Sequence, residues 1–158
     1  MRQGLVDKVQ AFNPRAASRN EEGTAGAGSG SIVSFDIYQT DADEDFYWGS
    51  DPKGEKKWRQ GSRTITLGHE LIHAERYQRG VGREFTGRAE NPENPYIGRR
   101  PPDGGAYDMT ERVDELETIG TAPKYTSEIA ENLLRREHGL NRRLSHKLIK
   151  KAYNKEQR

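Results

Sequence analysis

An HExxH pattern between His69 and His73 is the feature that most constrains this chain. The residues around it favour a helix, and four residues of helix make about 400° of turn. His69 and His73 therefore project from one face and can bind one zinc ion between them. Glu70 lies roughly 100° around the helix, where a carboxylate can act as general base without binding the metal. The pattern predicts metal-assisted hydrolysis.

Apolar residues around the pattern support a buried helix. Leu67, Leu71 and Ala74 cluster on the side away from the histidines, and Ile65 and Ile72 flank them. We expect a helix that is apolar on two sides, with a polar strip facing a cleft. The alternative is a half-buried helix whose two histidines only make hydrogen bonds.

Length and composition limit the remaining possibilities. The chain of 158 residues is long enough for one domain, and its 31% hydrophobic residues predict a small core. A formal net charge of +1 gives no overall field for nucleic acid, so we expect no specific nucleic-acid ligand. The absence of cysteine excludes disulfides, thiolate metal ligands and cysteine nucleophiles.

No apolar run is long enough to span a bilayer, and residues 1–13 lack the apolar core of a signal peptide. If the protein is exported, we expect a route that does not use an ordinary cleaved signal.

Composition divides the chain near residue 31. We predict a flexible N-terminal segment or linker over 1–30, ending in a glycine-rich run, and a domain over 31–158. Ser31 to Tyr38 alternates as a strand does, and we expect this strand to lie beside the HExxH helix. That helix is predicted to begin near 62–64 and to end at Gly80 or Gly82.

Three segments follow the HExxH helix. Residues 87–105 predict a long loop that wraps the cleft, and two helices are expected over 110–119 and 128–137. From Arg135 the chain becomes a basic tail, which is either solvated or available to a partner.

A catalytic zinc site needs a third protein ligand besides the two histidines. His138 near a helix end more often stabilises the helix dipole, and prolines on both sides of Glu93 forbid a helix there. The remaining candidates share the predicted helix over 110–119, and they are Glu111, Asp114, Glu115 and Glu117. We favour Glu115 as the ligand, with Glu117 or Glu111 supporting the other nitrogen of a histidine.

These motifs resemble two known groups of zinc peptidases. GHELIHA over 68–74, followed by DELETIG over 114–120, is similar to the clostridial neurotoxin light chains, where the second acid of the later segment binds zinc. Closer in size, the chain resembles the NleD-like bacterial effector zinc metallopeptidases over roughly 28–146. On this match Glu115 is the third zinc ligand.

The resemblance implies an α+β, zincin-like domain with a small sheet packed on the HExxH helix. It also implies a zinc endopeptidase, secreted as a bacterial effector or toxin domain by a non-classical route. Such a protein would cleave proteins in the cytoplasm of a host or competitor cell. An immunity protein or a secretion chaperone would be candidate partners.

The related neurotoxins stabilise the oxyanion with an arginine and a tyrosine. Arg143 matches the arginine, with Arg142 as its neighbour, but His146 stands where the tyrosine is expected. His146 can donate a hydrogen bond instead, or Tyr107 or Tyr153 can replace it. Two rival hypotheses remain: a zinc-stabilised domain without catalysis, and a metal-free interaction module that binds a partner through its basic C-terminal tail.

Overall fold

The computed structural model describes residues 8–20, 24–82, 87–97, 105–121 and 129–149, and these contain both helices and short antiparallel strands. The α+β class is therefore confirmed. The strands are β1 (Lys8–Ala11), β2 (Ser31–Ser34), β3 (Phe46–Ser50), β4 (Lys56–Gln60), β5 (Arg88–Glu90), β6 (Thr110–Arg112) and β7 (Arg142–Ile149). The helices are α1 (Pro14–Ala17), α2 (Arg63–Gln78), α3 (Val113–Ile119) and α4 (Glu131–Glu137).

The strands form three small antiparallel sheets rather than the one sheet that was expected. Their orders are β1-β2, β4-β3-β7 and β5-β6. β1 and β2 both pack on α2, so the predicted strand does lie beside the HExxH helix. β2 ends at Ser34, earlier than predicted, because the chain turns after it with the Asp36 side chain accepting from the backbone N–H of Tyr38.

The N-terminal segment expected to be a flexible linker is part of the fold where the structure describes it. Gly26 and Ser29 donate backbone hydrogen bonds to the carbonyl oxygens of Gly80 and Tyr77 at the end of α2. Gly28 has a φ of +88°, and a Cβ atom there would lie 2.0 Å from the carbonyl oxygen of Gln78. The glycines therefore allow close backbone contact with the helix end. The domain boundary at residue 31 stays a prediction.

The helix α2 has the predicted bounds, but its buried face differs from the expected one. Gly80, with a φ of +66°, follows its end. The histidine side is the buried side, together with Ile65 and Ile72, because β1, β2, α3 and α4 all pack on this helix. Leu71, expected in the core, is 51% exposed.

The segment 110–119 is not one helix. Thr110–Arg112 is β6, paired with β5, and α3 begins only at Val113. Gly120, with a φ of +72°, ends α3 as predicted. Glu111 therefore lies on a strand, and the expectation that it shares a helix with Glu115 is wrong.

Part of the predicted basic tail forms a strand of the fold. Residues 142–149 form β7, which pairs with β3, and Arg143, Leu144 and Ser145 within it are buried. The prediction of a solvated run is therefore wrong for this stretch, and the rest, 150–158, lies outside the described residues. The helix predicted over 128–137 is α4, which begins at Glu131, and residues 98–104 of the predicted loop lie outside the described residues too. Over the described ranges, no helix has the length and apolar content to cross a membrane.

Candidate metal centre

Three side chains from two helices converge on one point. His69 and His73 lie one turn apart on α2, and their Nε2 atoms are 3.1 Å from each other. Glu115 enters from α3, with Oε2 3.0 Å from His69 Nε2 and 3.3 Å from His73 Nε2. All three residues are buried. The structure therefore brings together the three ligands expected from the sequence.

This cluster fits a zinc ion in the chemistry and the spacing of its atoms. Two imidazole nitrogens and one carboxylate oxygen form a typical catalytic zinc set, which leaves a fourth position for water or substrate. Ligand atoms about 2.1 Å from one ion, at tetrahedral angles, are about 3.4 Å apart. The observed separations of 3.0 to 3.3 Å are close to that value.

The other acids considered as third ligands are bound elsewhere. Asp114 pairs with Arg112, and Glu117 pairs with Arg76. Glu93 pairs with Lys56 at a distance from the cluster.

A buried acid that sequence reasoning missed holds the ring of His69. Glu131 on α4 is 0% exposed, and its Oε2 lies 2.8 Å from His69 Nδ1. Since an ionised carboxylate only accepts, Nδ1 of His69 carries a hydrogen, and Nε2 is the ring nitrogen that can bind a metal ion. The Nδ1 of His73 lies 3.3 Å from Thr118 Oγ.

The expectation that Glu117 or Glu111 supports a histidine ring is therefore wrong, because Glu131 and Thr118 occupy those positions. Two buried cations keep Glu131 ionised. Arg135, one turn further along α4, donates to Oε1 at 2.5 Å, and Arg143 on β7 donates to Oε2 at 2.9 Å. The i, i+4 pairing of Glu131 and Arg135 was visible in the sequence, but nothing local distinguished it from an ordinary exposed helix pair.

The electrostatics of the cluster favour a bound cation. Burial alone would lower the pKa of His69, but its hydrogen bonds with Glu115 and Glu131 outweigh burial and raise this pKa to about 9. Burial would raise the pKa of Glu115, but hydrogen bonds with His69 and His73 hold it well below its usual range. These groups therefore attract a positive charge, which either protons or a metal ion can supply.

An open cleft of about 230 Å³ leads to the cluster. Glu70 lines this cleft without being one of the three converging groups, as expected for a base next to a metal site. The lining residues are Lys8, Val9, His69, Glu70, His73, Tyr77, Arg112, Asp114, Glu115 and His146. The strand β1, in the segment expected to be a linker, is thus part of the cleft wall.

Comparison with known families gives the same assignment as the motifs. The model of the family Peptidase_M91, described as effector protein, matches residues 5–146. The chain belongs to this family. No curated protein and no solved structure matches the chain. The matched range begins before β1 and ends at His146, so it includes the cleft wall, the three converging side chains and Glu131.

In this Peptidase_M91 member, the candidates for oxyanion stabilisation have different positions. His146 lines the cleft, 41% exposed, with Nε2 3.4 Å from Glu115 Oε2. Partial removal of the ring from water, together with the positive charges of Arg143 and the other histidines, outweighs Glu115 and lowers the pKa of His146 to about 4, which favours the neutral ring. A neutral imidazole still has one N–H to donate.

Arg142 and Arg143 do not line the cleft. Arg143 is buried, and its three nitrogens bind Glu131 and the carbonyl oxygens of Ser145 and His146. Arg142 donates to the carbonyl oxygen of Thr121 instead. Arg143 therefore contacts Glu131, which in turn contacts His69. The hydrogen bond of the Arg142 side chain is with Thr121 and not with His69, His73 or Glu115.

Glu111 has a role that its expected position did not suggest. Its side chain is buried on β6, where it accepts hydrogen bonds from the Ser145 hydroxyl at 2.5 Å and from the backbone N–H of His146 at 2.6 Å. The side-chain amides of Asn91 and Asn94 donate to it as well. Glu111 therefore fixes the β7 backbone that presents His146 to the cleft. Tyr107, the described alternative to His146, stacks on Tyr96, and Tyr153 lies outside the described residues.

Proposed function

We propose that this protein is a zinc-dependent endopeptidase of zincin-like architecture, which acts as an effector or toxin domain and cleaves proteins inside another cell. One observation carries the proposal: His69, His73 and Glu115 converge at the edge of an open cleft that Glu70 also lines. Membership of a peptidase family of effector proteins supports the same activity.

Each residue of the cluster has a separate task in this proposal. His69, His73 and Glu115 would hold the zinc ion, and Glu131 keeps His69 in the tautomer that binding requires. When bound, zinc supplies a Lewis acid that polarises the scissile carbonyl group and lowers the pKa of water. Glu70 accepts the proton of the attacking water and delivers it to the leaving amine.

His146 is our candidate for stabilising negative charge on the substrate oxygen. It is the neutral donor in the cleft, and its backbone is held by Glu111. For Arg143 we propose a positioning role through Glu131. Its direct oxyanion role remains a sequence-based prediction, as does that of Arg142.

The shape of the cleft supports a protein substrate. Lys8 and Val9 of β1 line it, and β1 pairs only with β2 among the described strands. Its other edge leaves backbone groups that an extended peptide can pair with. We therefore propose cleavage within a chain, with secretion by a non-classical route and action in the target-cell cytoplasm. An immunity protein or secretion chaperone is a candidate partner.

The rival reading, a module that binds partners through its basic tail, gains no support from the described part of that tail. Arg135 and Arg143 are buried around Glu131, where they are not accessible to a partner.

The test of the proposed function is Glu70→Gln, with Glu75→Gln as a control. Glu75 lies on the same helix in an exposed pair with Arg79, so its loss should change nothing. We expect the wild type and both variants to retain one zinc per chain by elemental analysis. In target-cell extract, mass spectrometry should find new protein termini with wild type and Glu75→Gln, but none with Glu70→Gln. Normal cleavage by Glu70→Gln would refute the mechanism.

A further inference from the structure

Two cations line the cleft without a task in the proposed chemistry. Arg112 directly precedes α3, and Lys8 lies on β1, on a separate element. Neither binds the converging histidines or Glu115. The two cations that were expected to act there, Arg142 and Arg143, lie elsewhere, so the charged groups that a substrate meets differ from those expected.

Arg112 is held in a defined orientation by a buried acid. Its Nε donates to Asp114 Oδ1 at 2.9 Å, and its Nη2 pairs with Oδ2 of the same carboxylate. The Asp114 side chain is only 5% exposed, whereas that of Arg112 is 47% exposed. The carboxylate thus fixes the inner edge of the guanidinium and leaves its outer part in the cleft.

This pairing leaves donors available on Arg112. A guanidinium has five N–H groups, and the contacts with Asp114 involve Nε and Nη2. The two N–H groups of Nη1 remain for another acceptor. Because Asp114 immediately precedes Glu115 on α3, the position of these donors is tied to the metal site.

Lys8 provides a second, more adjustable charge. Its side chain is exposed, and it makes no ion pair within the described ranges. An ammonium on a flexible stem can follow a negative group whose position varies, whereas the fixed guanidinium can bind it in one geometry.

We propose that Arg112, oriented by Asp114 and assisted by Lys8, binds a carboxylate of the substrate close to the scissile bond. The substrate class is therefore an acidic peptide segment. This inference rests on the proposed function and deepens it. The carboxylate can come from an aspartate or glutamate side chain or from the C-terminus of the chain being cut, and the experiment distinguishes these sources.

A purely structural role for Arg112 makes a different prediction, and the chain offers a matched control for it. Arg88 on β5 is the direct partner of Arg112 in the strand register. Its side chain is also 47% exposed and pairs with Asp108, but it does not line the cleft. If the ion pair only stabilises the strand pair and α3, Arg88→Gln and Arg112→Gln should have similar effects.

The test uses zinc-loaded full-length protein and four random peptide pools. Three are amidated at the C-terminus and contain Asp and Glu, Asn and Gln, or Lys and Arg at the same positions. The fourth is the neutral pool with free C-termini. We expect Arg112→Gln to lower kcat/KM on the acidic amidated pool about tenfold, the scale of a charge-assisted hydrogen bond, with little change on the neutral amidated pool. Lys8→Gln should give a smaller loss, and Arg88→Gln none.

Two further substitutions of Arg112, one that keeps its charge and one that reverses it, distinguish a role in substrate binding from a role in stability. Arg112→Lys should keep most of the acidic preference, while Arg112→Glu should favour an amidated pool with Lys and Arg in the acidic positions. If only the pool with free C-termini shows the effect, the bound group is the chain terminus. Equal losses on all pools, or an unchanged preference in Arg112→Glu, would overturn the inference.

A measurement of peptide binding tests the role of Arg112 even if the protein cleaves no peptide. If the wild type cuts none of the pools, the proposed function fails, and fluorescence anisotropy with labelled pools still measures the role of Arg112. Tighter binding of a carboxylate-containing pool than of its uncharged counterpart, lost in Arg112→Gln, supports the inference. Equal binding of all pools contradicts it.

Discussion

The helix pair α2–α3 and the pair α4–β7 use charge in opposite ways. On α2 and α3, His69, His73 and Glu115 direct their polar atoms toward one point at the edge of the cleft. On α4 and β7, Glu131, Arg135 and Arg143 direct theirs toward each other inside the protein. The first region has the arrangement of a cation site that opens into a cleft. The second supports the first through the hydrogen bond between Glu131 and His69.

The difference predicts two kinds of mutational effect. Removing a group from α2–α3 should empty the metal site while the fold remains, because the lost interaction is with the ion. Removing a group from α4–β7 should leave a buried charge without its partner, which is costly to the fold itself. Variants of the two regions can therefore be separated by measuring metal content and unfolding free energy together.

The largest effect on function is expected from His73→Ala in the first region. The site would keep only His69 and Glu115, too few protein ligands for catalytic zinc. We expect stoichiometric zinc to be lost and peptide cleavage to fall by about a thousandfold or more, as expected when the metal and its chemistry are removed. Elemental analysis and a cleavage assay measure this, with the exposed His138→Ala as control. One zinc retained in His73→Ala would exclude this ligand set.

Glu131→Gln should have the largest effect in the second region. Arg135 and Arg143 would keep their buried charges without the carboxylate, which costs about 3–5 kcal/mol of unfolding free energy. The loss of support for His69 should also weaken zinc binding about 10- to 100-fold. Denaturant unfolding and metal competition measure the two effects. Glu137→Gln, exposed on the same helix, should change stability by less than about 0.5 kcal/mol. Equal stability of the two variants would contradict the buried-network account.

Neighbouring arginines on β7 sharpen the comparison further. Arg143→Gln removes a buried partner of Glu131 and should cost about 2 kcal/mol of stability, together with some zinc affinity. Arg142→Gln should stay within about 0.5 kcal/mol of the wild type, because its side chain contacts only a carbonyl oxygen away from the cluster. Unfolding curves and cleavage kinetics of both variants show whether Arg143 positions Glu131 or acts on the oxyanion directly. A lower kcat for Arg143→Gln, with stability and zinc affinity unchanged, would instead assign it to the oxyanion.

The smallest of these effects is expected at His146, where the second region reaches the cleft. His146→Phe removes the donor and should lower kcat about tenfold, less than the loss of a complete oxyanion donor usually costs. His146→Tyr restores a donor and should recover part of that rate. Zinc content should be unchanged in both. An unaltered kcat in His146→Phe would remove this residue from the mechanism.

The cluster of candidate metal ligands could be predicted from the sequence because most of its geometry is local. His69 and His73 are related by one turn of α2, and the position of Glu70 follows from the same helix. Glu115 followed from its short segment and from the resemblance. For these residues the sequence spacing and the helix geometry determine most of the arrangement, and the structure brings the three ligands together.

The supporting region could not be predicted in this way, since its roles depend on long-range burial. Glu131 has the local pattern of an exposed helix position, and the packing of α2 and β7 on its helix makes it an interior charge. Leu144 and Leu148 are separated by three polar residues in the basic run, a spacing that fits one face of a helix as well as one face of a strand. The density of positive charge favoured a tail instead. Glu111 was missed for the same reason, because it lies on β6 through pairing with a strand distant in sequence, where it is opposite Ala89 of β5.

The most direct test of the central claim is X-ray absorption spectroscopy at the zinc edge, combined with an anomalous diffraction map of zinc-loaded crystals. We predict one zinc per chain, bound by Nε2 of His69, Nε2 of His73 and a carboxylate oxygen of Glu115 at about 2.0–2.2 Å, with the fourth position open to the cleft. Zinc bound at other residues, or no zinc retained among these three side chains, would contradict the account.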